Sequence, residues 1–278
     1  MRAEAPEHRR AKRSLSQNFL IDRNLQEKII RELDAPPQDV VLDIGAGHGE
    51  LGGRLAGRVA DLVLVEKDDH LAPDLRDRFA DNESVRVVHD DALDVDLSAL
   101  IPAGRAYRVL SNLPYAITTP LLFRILDMRP PSERVVITVQ REVAERIVAE
   151  PGSKTYGALS VGVQVRGAPR VAFRIGRNAF RPVPAVDSAV VVIDPDPGAP
   201  VAEEAAALRR LTRVVFGQRR KQLQKILRSA PEYRLSQQEV EQLAAIIGFD
   251  PSDRPEKLHP QELRALARGL SGHVEKRK

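Results

Sequence analysis

Between residues 40 and 149 short β-branched runs alternate with helical patterns, and this alternation restricts the possible folds more than any other feature of the chain. The runs are Val40–Ile44, Leu62–Glu66, Val85–Val88, Tyr107–Ser111 and Val135–Val139. Helices are predicted at about 50–58, 70–79, 119–127 and 141–149. Strands joined by helices at this spacing make βαβ units and a parallel sheet. An amphipathic helix over about 24–33 precedes the first strand, with Asp22 as its cap and Leu25, Ile29, Ile30 and Leu33 on one stripe. Three further strands are expected at Ala158–Val165, Val171–Ile175 and Ser188–Ile193. The Pro- and Asp-rich stretch Asp194–Pro200 reads as a linker, and beyond it helices are predicted at about 203–216, 218–228, 236–247 and 260–269. The expected organisation is a basic arm over 1–18, an α/β domain over 19–196 and a small all-helical C-terminal domain over 201–278.

The chain contains no cysteine. That excludes disulfides, zinc–thiolate and iron–sulfur sites, and the thiolate addition that pyrimidine C5 methylation requires. No apolar run approaches the about 20 residues of a membrane span. The basic start leads into no apolar stretch, so no secretory signal is expected and a cytoplasmic location is. The formal charge of +4 hides a strong asymmetry. Between Asp61 and Asp96 there are 12 acidic residues against four basic ones, a net −8, so the remainder carries +12. Three clusters hold much of it: Arg9, Arg10, Lys12 and Arg13; Arg166, Arg170, Arg174, Arg177 and Arg181; and Arg219, Arg220 and Lys221 with Lys225 and Arg228. Such clusters suit a phosphate backbone, because each neutralised phosphate releases condensed counterions. Arg177, Arg181, Arg219, Arg220 and Lys221 are the expected RNA contacts.

The first strand runs into Asp43-Ile-Gly-Ala-Gly-His-Gly-Glu-Leu-Gly52, where Gly45, Gly47 and Gly49 allow a tight turn and close approach of a ligand. The spacing is G-x-G-x-G, not the G-x-G-x-x-G of nicotinamide sites. The second strand ends in Glu66, suited to ribose hydroxyls, and the third in Asp90-Asp91, suited to an adenine amino group. That order of groups, within an acidic segment, fits the cationic S-adenosylmethionine as cofactor. Asp68, Asp69, Asp74 and Asp77 read as solvated helix charge, and His48 and His89 as loop residues. No metal is expected.

The fourth strand ends in Asn112-Leu113-Pro114-Tyr115. An exocyclic adenine amine is a poor nucleophile because its lone pair is delocalised into the ring. Two acceptors aimed at its hydrogens, the Asn112 side-chain oxygen and a backbone carbonyl of the Leu113–Pro114 turn, favour the rehybridised nitrogen. Pro114 stiffens the turn and Tyr115 offers a stacking face. No strong base is needed, so catalysis is positioning plus electrostatics. A base in folded RNA must be flipped out or offered by a loop to reach such a site, and Phe180 is expected to supply a second aromatic wall.

These residues carry a resemblance that runs nearly end to end. Besides the glycine loop it includes Ser16-Gln17-Asn18-Phe19-Leu20, Val65-Glu66, Asp91-Ala92, Asn112-Leu-Pro-Tyr115, Thr119-Pro-Leu-Leu122 and Gln140-Arg-Glu-Val-Ala-Glu-Arg146. Further on come Pro151-Gly-Ser-Lys154, Tyr156-Gly157, Phe180-Arg-Pro-Val-Pro-Ala-Val-Asp-Ser-Ala189, Phe216-Gly-Gln-Arg-Arg-Lys221 and Arg254-Pro-Glu-Lys-Leu258. The chain resembles the KsgA (RsmA) small-subunit rRNA adenine dimethyltransferases, relatives of the Erm methyltransferases. The resemblance implies a Rossmann-like, S-adenosylmethionine-dependent methyltransferase domain with a small helical C-terminal domain. It also implies four methyl transfers to N6 of two adjacent adenosines in the 3′-terminal hairpin loop of 16S rRNA, late in assembly of the small ribosomal subunit. Carried over residue by residue, Asn18, Leu20, Gly45, Gly47, Glu66, Asp91 and Asn112 contact the cofactor. Asn112, Leu113, Pro114, Tyr115 and Phe180 form the catalytic pocket. The chain departs from the family pattern at Asp43-Ile, where relatives often have Glu-Pro, and after Lys221.

The small ribosomal subunit is the expected partner, with the enzyme a monomer. Three alternatives are an Erm-type 23S rRNA methyltransferase, a non-catalytic assembly factor on the same fold and, more distantly, a nicotinamide oxidoreductase.

Overall fold

The computed structural model describes residues 18–275, with side chains as far as Ser271. The basic cluster at Arg9–Arg13 and all of the expected arm except Asn18 lie outside the described residues. The elements are β1 (Phe19–Leu20), α1 (Arg23–Leu33), β2 (Val40–Ile44), β3 (Asp61–Glu66), α2 (Leu71–Arg78), β4 (Val85–His89), β5 (Tyr107–Asn112), α3 (Thr118–Leu126) and β6 (Arg134–Gln140). They continue with α4 (Arg141–Ile147), α5 (Ala158–Gln164), β7 (Gly167–Ile175), β8 (Phe180–Arg181), β9 (Ser188–Pro195), α6 (Ala202–Gly217), α7 (Leu223–Ser229), α8 (Gln237–Ile247) and α9 (Pro260–Glu275).

Seven strands form one sheet in the order β4-β3-β2-β5-β6-β9-β7. β2 runs parallel to both β3 and β5, and β3 runs parallel to β4. β2 and β3 are continuously apolar but for Asp43 and the terminal Asp61 and Glu66, and nearly every residue is buried, as a sheet covered on both faces demands. The chain moves outward from β2 through β3 to β4, then returns to place β5 on the other side of β2. Strand order therefore reverses between β2 and β5, and the crevice at the carboxyl ends of strands on either side of such a switch point is where open α/β sheets bind ligands.

By contacts the chain divides into two compact units. Of the described residues, the first comprises 18–122, 136–141 and 172–190; the second comprises 123–135, 142–171 and 191–275. This division differs from the boundary expected at 196–200. The segment that runs from the end of α4 through α5 supplies Ala149, Tyr156, Val161 and Val165 to the same core as Leu208 and Leu211 of α6, Leu227 of α7 and Leu263 of α9. Tyr156 is buried there, and its hydroxyl donates to the Leu258 carbonyl at 2.9 Å.

Two predicted elements differ from those found. The strand expected at Ala158–Val165 is instead helix α5, Ala158–Gln164. The run is apolar on every side because the helix is buried on nearly every side, which erases the period that separates helix from strand. Its small residues let neighbours close in, so a Cβ at Gly162 would lie 2.7 Å from the Phe123 ring. The helix expected over 50–58 is only a single 3₁₀ turn, Gly52–Arg54. Gly52 passes so near the sheet that a Cβ would stand 2.6 Å from both Asp43 Oδ2 and Leu64. Among the described residues no helix is long and apolar enough to cross a membrane.

Candidate active site

A cavity of about 270 Å³ lies at the carboxyl ends of β2, β3, β4 and β5. Gly45 and Gly47 floor it with φ of +71° and +61°, the left-handed region that side chains avoid. Open space stands where a Gly45 side chain would be, while a Gly47 Cβ would press on the Phe19 ring at 3.1 Å. The turn is secured from behind, because Gly45 N–H and Ala46 N–H both donate to the Val65 carbonyl.

Glu66 is buried in the cavity wall, and each of its oxygens accepts one backbone N–H. Gly47 donates to Oε2 and Asp68 to Oε1, both at 2.8 Å. Burial raises its pKa above the usual glutamate value, opposed by the backbone N–H groups of Asp68, Gly47 and Lys67. Asp91 follows β4, with Oδ1 held by Leu93 N–H at 2.9 Å and Oδ2 paired with the ammonium of Lys67, itself a cavity residue. At the end of β5 the Asn112 amide nitrogen donates to the Asn18 carbonyl at 2.8 Å, which turns Oδ1 the other way. Leu113 N–H donates to Thr138 O of β6. The Pro114 carbonyl is consumed by its own turn, accepting from Ile117 N–H and Thr118 Oγ1. Half-buried Tyr115 lines the cavity and hydrogen-bonds through its hydroxyl to Ser188 Oγ at 2.8 Å.

This donor set suits S-adenosylmethionine. Bare backbone at Gly45 leaves room for a ligand, Glu66 has acceptor capacity beyond its two N–H partners, and Asp91 offers an acceptor to an amino-purine. The walls between these groups are apolar, formed by Ile44, Val65, Leu93 and Leu121. When bound, that group supplies an electrophilic methyl on a sulfonium.

The sequence matches the family described as "Ribosomal RNA adenine dimethylase" over residues 8–250. The chain belongs to that family. The "Ribosomal RNA small subunit methyltransferase A" of Geobacter metallireducens is 40% identical over 265 residues, covering 94% of this chain and 96% of that protein. Among solved structures, a dimethyladenosine transferase from Plasmodium falciparum superposes with a TM-score of 0.74 at 21% identity, over 92% of this chain and 98% of its own. The 23S rRNA methyltransferase ErmE superposes at 0.67 with 23% identity, over 91% and 99%. Both share the Rossmann-like α/β fold of the adenine dimethylase family.

Not every residue expected in this dimethylase's site is there. Asn18, Gly45, Gly47, Glu66, Asp91, Asn112, Leu113, Pro114 and Tyr115 all line one cavity. Phe180 does not: it is fully buried in β8, which pairs with β1 in the register Leu20↔Phe180. It props the N-terminal strand instead of walling the cavity. Leu20 is buried beside it and, outside the main cavity, lines a small adjoining pocket with Asp43 and Glu50. Phe19, not singled out from the sequence, lines the main cavity and packs on His48 with ring centroids 4.6 Å apart. Asp68 is not solvated charge; it is buried and accepts from His70 N–H at 2.8 Å in the turn that leads into α2.

The basic clusters also divide on inspection. Arg166 is buried at 1% exposure, bound to Asp127 at 2.7 Å and to the Gly162 carbonyl at 2.8 Å, so it contacts no solvent phosphate. Arg219 is likewise engaged: its guanidinium pairs with Glu256 and donates to the carbonyls of Lys154 at 2.6 Å and Ser153 at 2.8 Å. It ties three loops together, and exposed Lys154, Arg220, Lys221 and Lys257 stand on them. In the first unit Arg177 and Arg181 are exposed on the loop between β7 and β9. Arg219→Gln is therefore expected to lower stability by about 2 kcal/mol, the value of charged hydrogen bonds lost in a partly buried place. Arg220→Gln should leave stability unchanged and lower the salt dependence of RNA binding by something under ~1 in log–log slope. Thermal melts and binding at several salt concentrations separate the two.

Asp43 gives the site a pH dependence. It is buried on β2, accepts a hydrogen bond from Gly52 N–H at 2.9 Å, and burial pushes its pKa from 3.8 to about 7. The folded state then holds a proton that the unfolded state releases, so stability falls as pH rises from about 4 through about 7. Melting temperature should drop over that range, and Asp43→Asn should flatten the decline while keeping an acceptor for Gly52.

Proposed function

We propose that this protein transfers methyl groups from S-adenosylmethionine to N6 of two adjacent adenosines in the 3′-terminal hairpin loop of 16S rRNA, producing dimethyladenosines late in small-subunit assembly. The observation that carries this is the meeting of Gly45, Gly47, Glu66 and Asp91 with Asn112–Tyr115 in one cavity. Cofactor groups and amine-orienting groups are thereby within one molecule's length of each other. In this reading Glu66 takes the ribose hydroxyls and Asp91 the cofactor adenine. Asn112 Oδ1 and the Leu113 carbonyl accept the two hydrogens of the target amine. Leu113 is the acceptor of its turn because Pro114 O already serves Ile117 and Thr118. The amine then turns its lone pair toward the methyl group, and the methylated ammonium loses its proton to water. Tyr115 supplies the stacking face, and burial raises its phenol pKa, so the hydroxyl stays neutral.

Arg177, Arg181, Arg220 and Lys221 are exposed cations suited to rRNA phosphates. We assign the reaction to a single chain acting in the cytoplasm on the small subunit. The name of the 40%-identical relative supports the small subunit over the large one. The test supplies labelled S-adenosylmethionine to separated small and large subunits lacking their native dimethyladenosines, then locates the modified base by mass spectrometry. Adjacent dimethyladenosines near the 3′ end of the small-subunit RNA are expected. Label in the large subunit would assign the Erm activity. No label in either, with cofactor binding intact, would mark a non-catalytic assembly factor.

A further inference from the structure

We infer that Ser188 is a positioning residue for the target base, and that with Asp187 it forms a joint between the stacking tyrosine and the arginine-bearing loop. Ser188 begins β9, is wholly buried, and is not among the residues that line the main cavity. Its hydroxyl nevertheless meets Tyr115 Oη at 2.8 Å, from 73 residues away in sequence. Tyr115 sits on a short 3₁₀ turn after Pro114, whose hydrogen-bond geometry is poorer than an α-helix's, so an anchor at the far end of the ring adds to its placement. The Ser188 hydroxyl is that anchor. It fixes the ring by its edge and leaves its faces for stacking.

Asp187 makes the other half of the joint. Its Oδ1 accepts from Arg177 N–H at 3.1 Å, and its carbonyl accepts from Arg141 N–H at 3.0 Å, where β6 ends. One dipeptide therefore closes the loop that displays Arg177 and Arg181 and also pins the ring in the cavity. Within that loop Arg181 folds onto the carbonyls of Asn178 and Phe180, and Val183 and Val186 are exposed. RNA held by the arginines would be held at a defined distance from the ring, because two adjacent residues, half-exposed Asp187 and buried Ser188 at the start of β9, set both. This rests on the function proposed above, in which Tyr115 stacks on the target adenine.

The test uses the full chain with unmethylated small subunits. Ser188→Ala and Tyr115→Phe are each expected to lower kcat/KM about tenfold, the size of one neutral hydrogen bond in a dry site. The double variant should be no worse than either, because both remove the same bond. Ser188→Thr, which keeps the hydroxyl, should restore the rate. Affinity for S-adenosylhomocysteine should stay at the wild-type value throughout and the melting temperature should fall by no more than the few degrees that one buried hydrogen bond is worth, a pattern that general loosening of the strand would not give. Asp187→Ala should instead raise KM for the subunit and leave kcat unchanged. A Ser188→Ala enzyme with full activity, additive losses in the double variant, or the same kinetic split for Asp187→Ala and Ser188→Ala would overturn the inference. Tyr115→Ala separates the two levels. If it retains activity, the stacking role itself is wrong; if it is inactive while Ser188→Ala is not, only the joint fails.

Discussion

Asn112→Ala should reduce methyl transfer by roughly 10³-fold, the upper range for deleting one preorganised group that acts on developing charge. The side chain does two things, and the structure separates them. Its amide nitrogen is spent on the Asn18 carbonyl, so the strand that begins at Phe19 is tied to the end of β5. Its oxygen is thereby aimed as an acceptor. Alanine removes both functions, so affinity for S-adenosylhomocysteine should also weaken by a few-fold as the N-terminal strand loosens. Asn112→Asp preserves an acceptor but repels the Asn18 carbonyl. It should keep measurable transfer while losing as much cofactor affinity as alanine does. Single-turnover rates and calorimetry on the same preparations check both halves. Full transfer by the alanine variant would remove Asn112 from the chemistry.

Glu66→Ala should act on the cofactor first. Two backbone donors, Gly47 N–H and Asp68 N–H, lose their acceptor, and a bound ribose loses its partner. Charge-assisted hydrogen bonds contribute about 1.5–3 kcal/mol each, so an affinity loss of about 10²-fold or more is expected. The turn that Gly47 shapes should relax with it, lowering the melting temperature by several degrees. Glu66→Gln keeps one acceptor oxygen but sets an amide donor against a backbone donor, and should fall between. Calorimetry with S-adenosylhomocysteine reads these losses without turnover. Unchanged affinity in Glu66→Ala would move the ribose contact elsewhere.

Most of this site was legible before any coordinates, for a local reason. A parallel βαβ sheet delivers its functional residues at strand ends, so Gly45, Glu66, Asp91 and Asn112 each stand within three residues of the last apolar residue of a strand. Position within the run is position in the site. The apolar period marks the strands, and polar or glycine residues just beyond each apolar run mark the cavity rim. Where burial removes the period, the same logic fails. Residues 158–165 look like a strand because α5 is apolar all round, and Gly52-Gly53 interrupt a helix that the flanking leucines suggest.

What the order of residues could not supply was the partner of each side chain at long range. Phe180, read as a wall for the target base, is withdrawn from the cavity by a two-residue pairing with Leu20 across 160 positions of chain. Arg219 looks identical to Arg220 in a basic run, yet one is consumed by Glu256 and two carbonyls and the other is exposed. Charge at a position is a property of the residue, whereas its availability depends on which loops pack beside it. Lys67 and Ser188 carried no local signal, because what gives each its place is contact with Asp91 and Tyr115. The chain's fold class, strand-end chemistry and cofactor type are local and periodic, and so are written in its sequence. The N-terminal strand laid over the glycine turn, the unit that gathers α4 and α5 with the C-terminal helices, and the anchoring of Tyr115 arise only when distant segments compete for the same buried space.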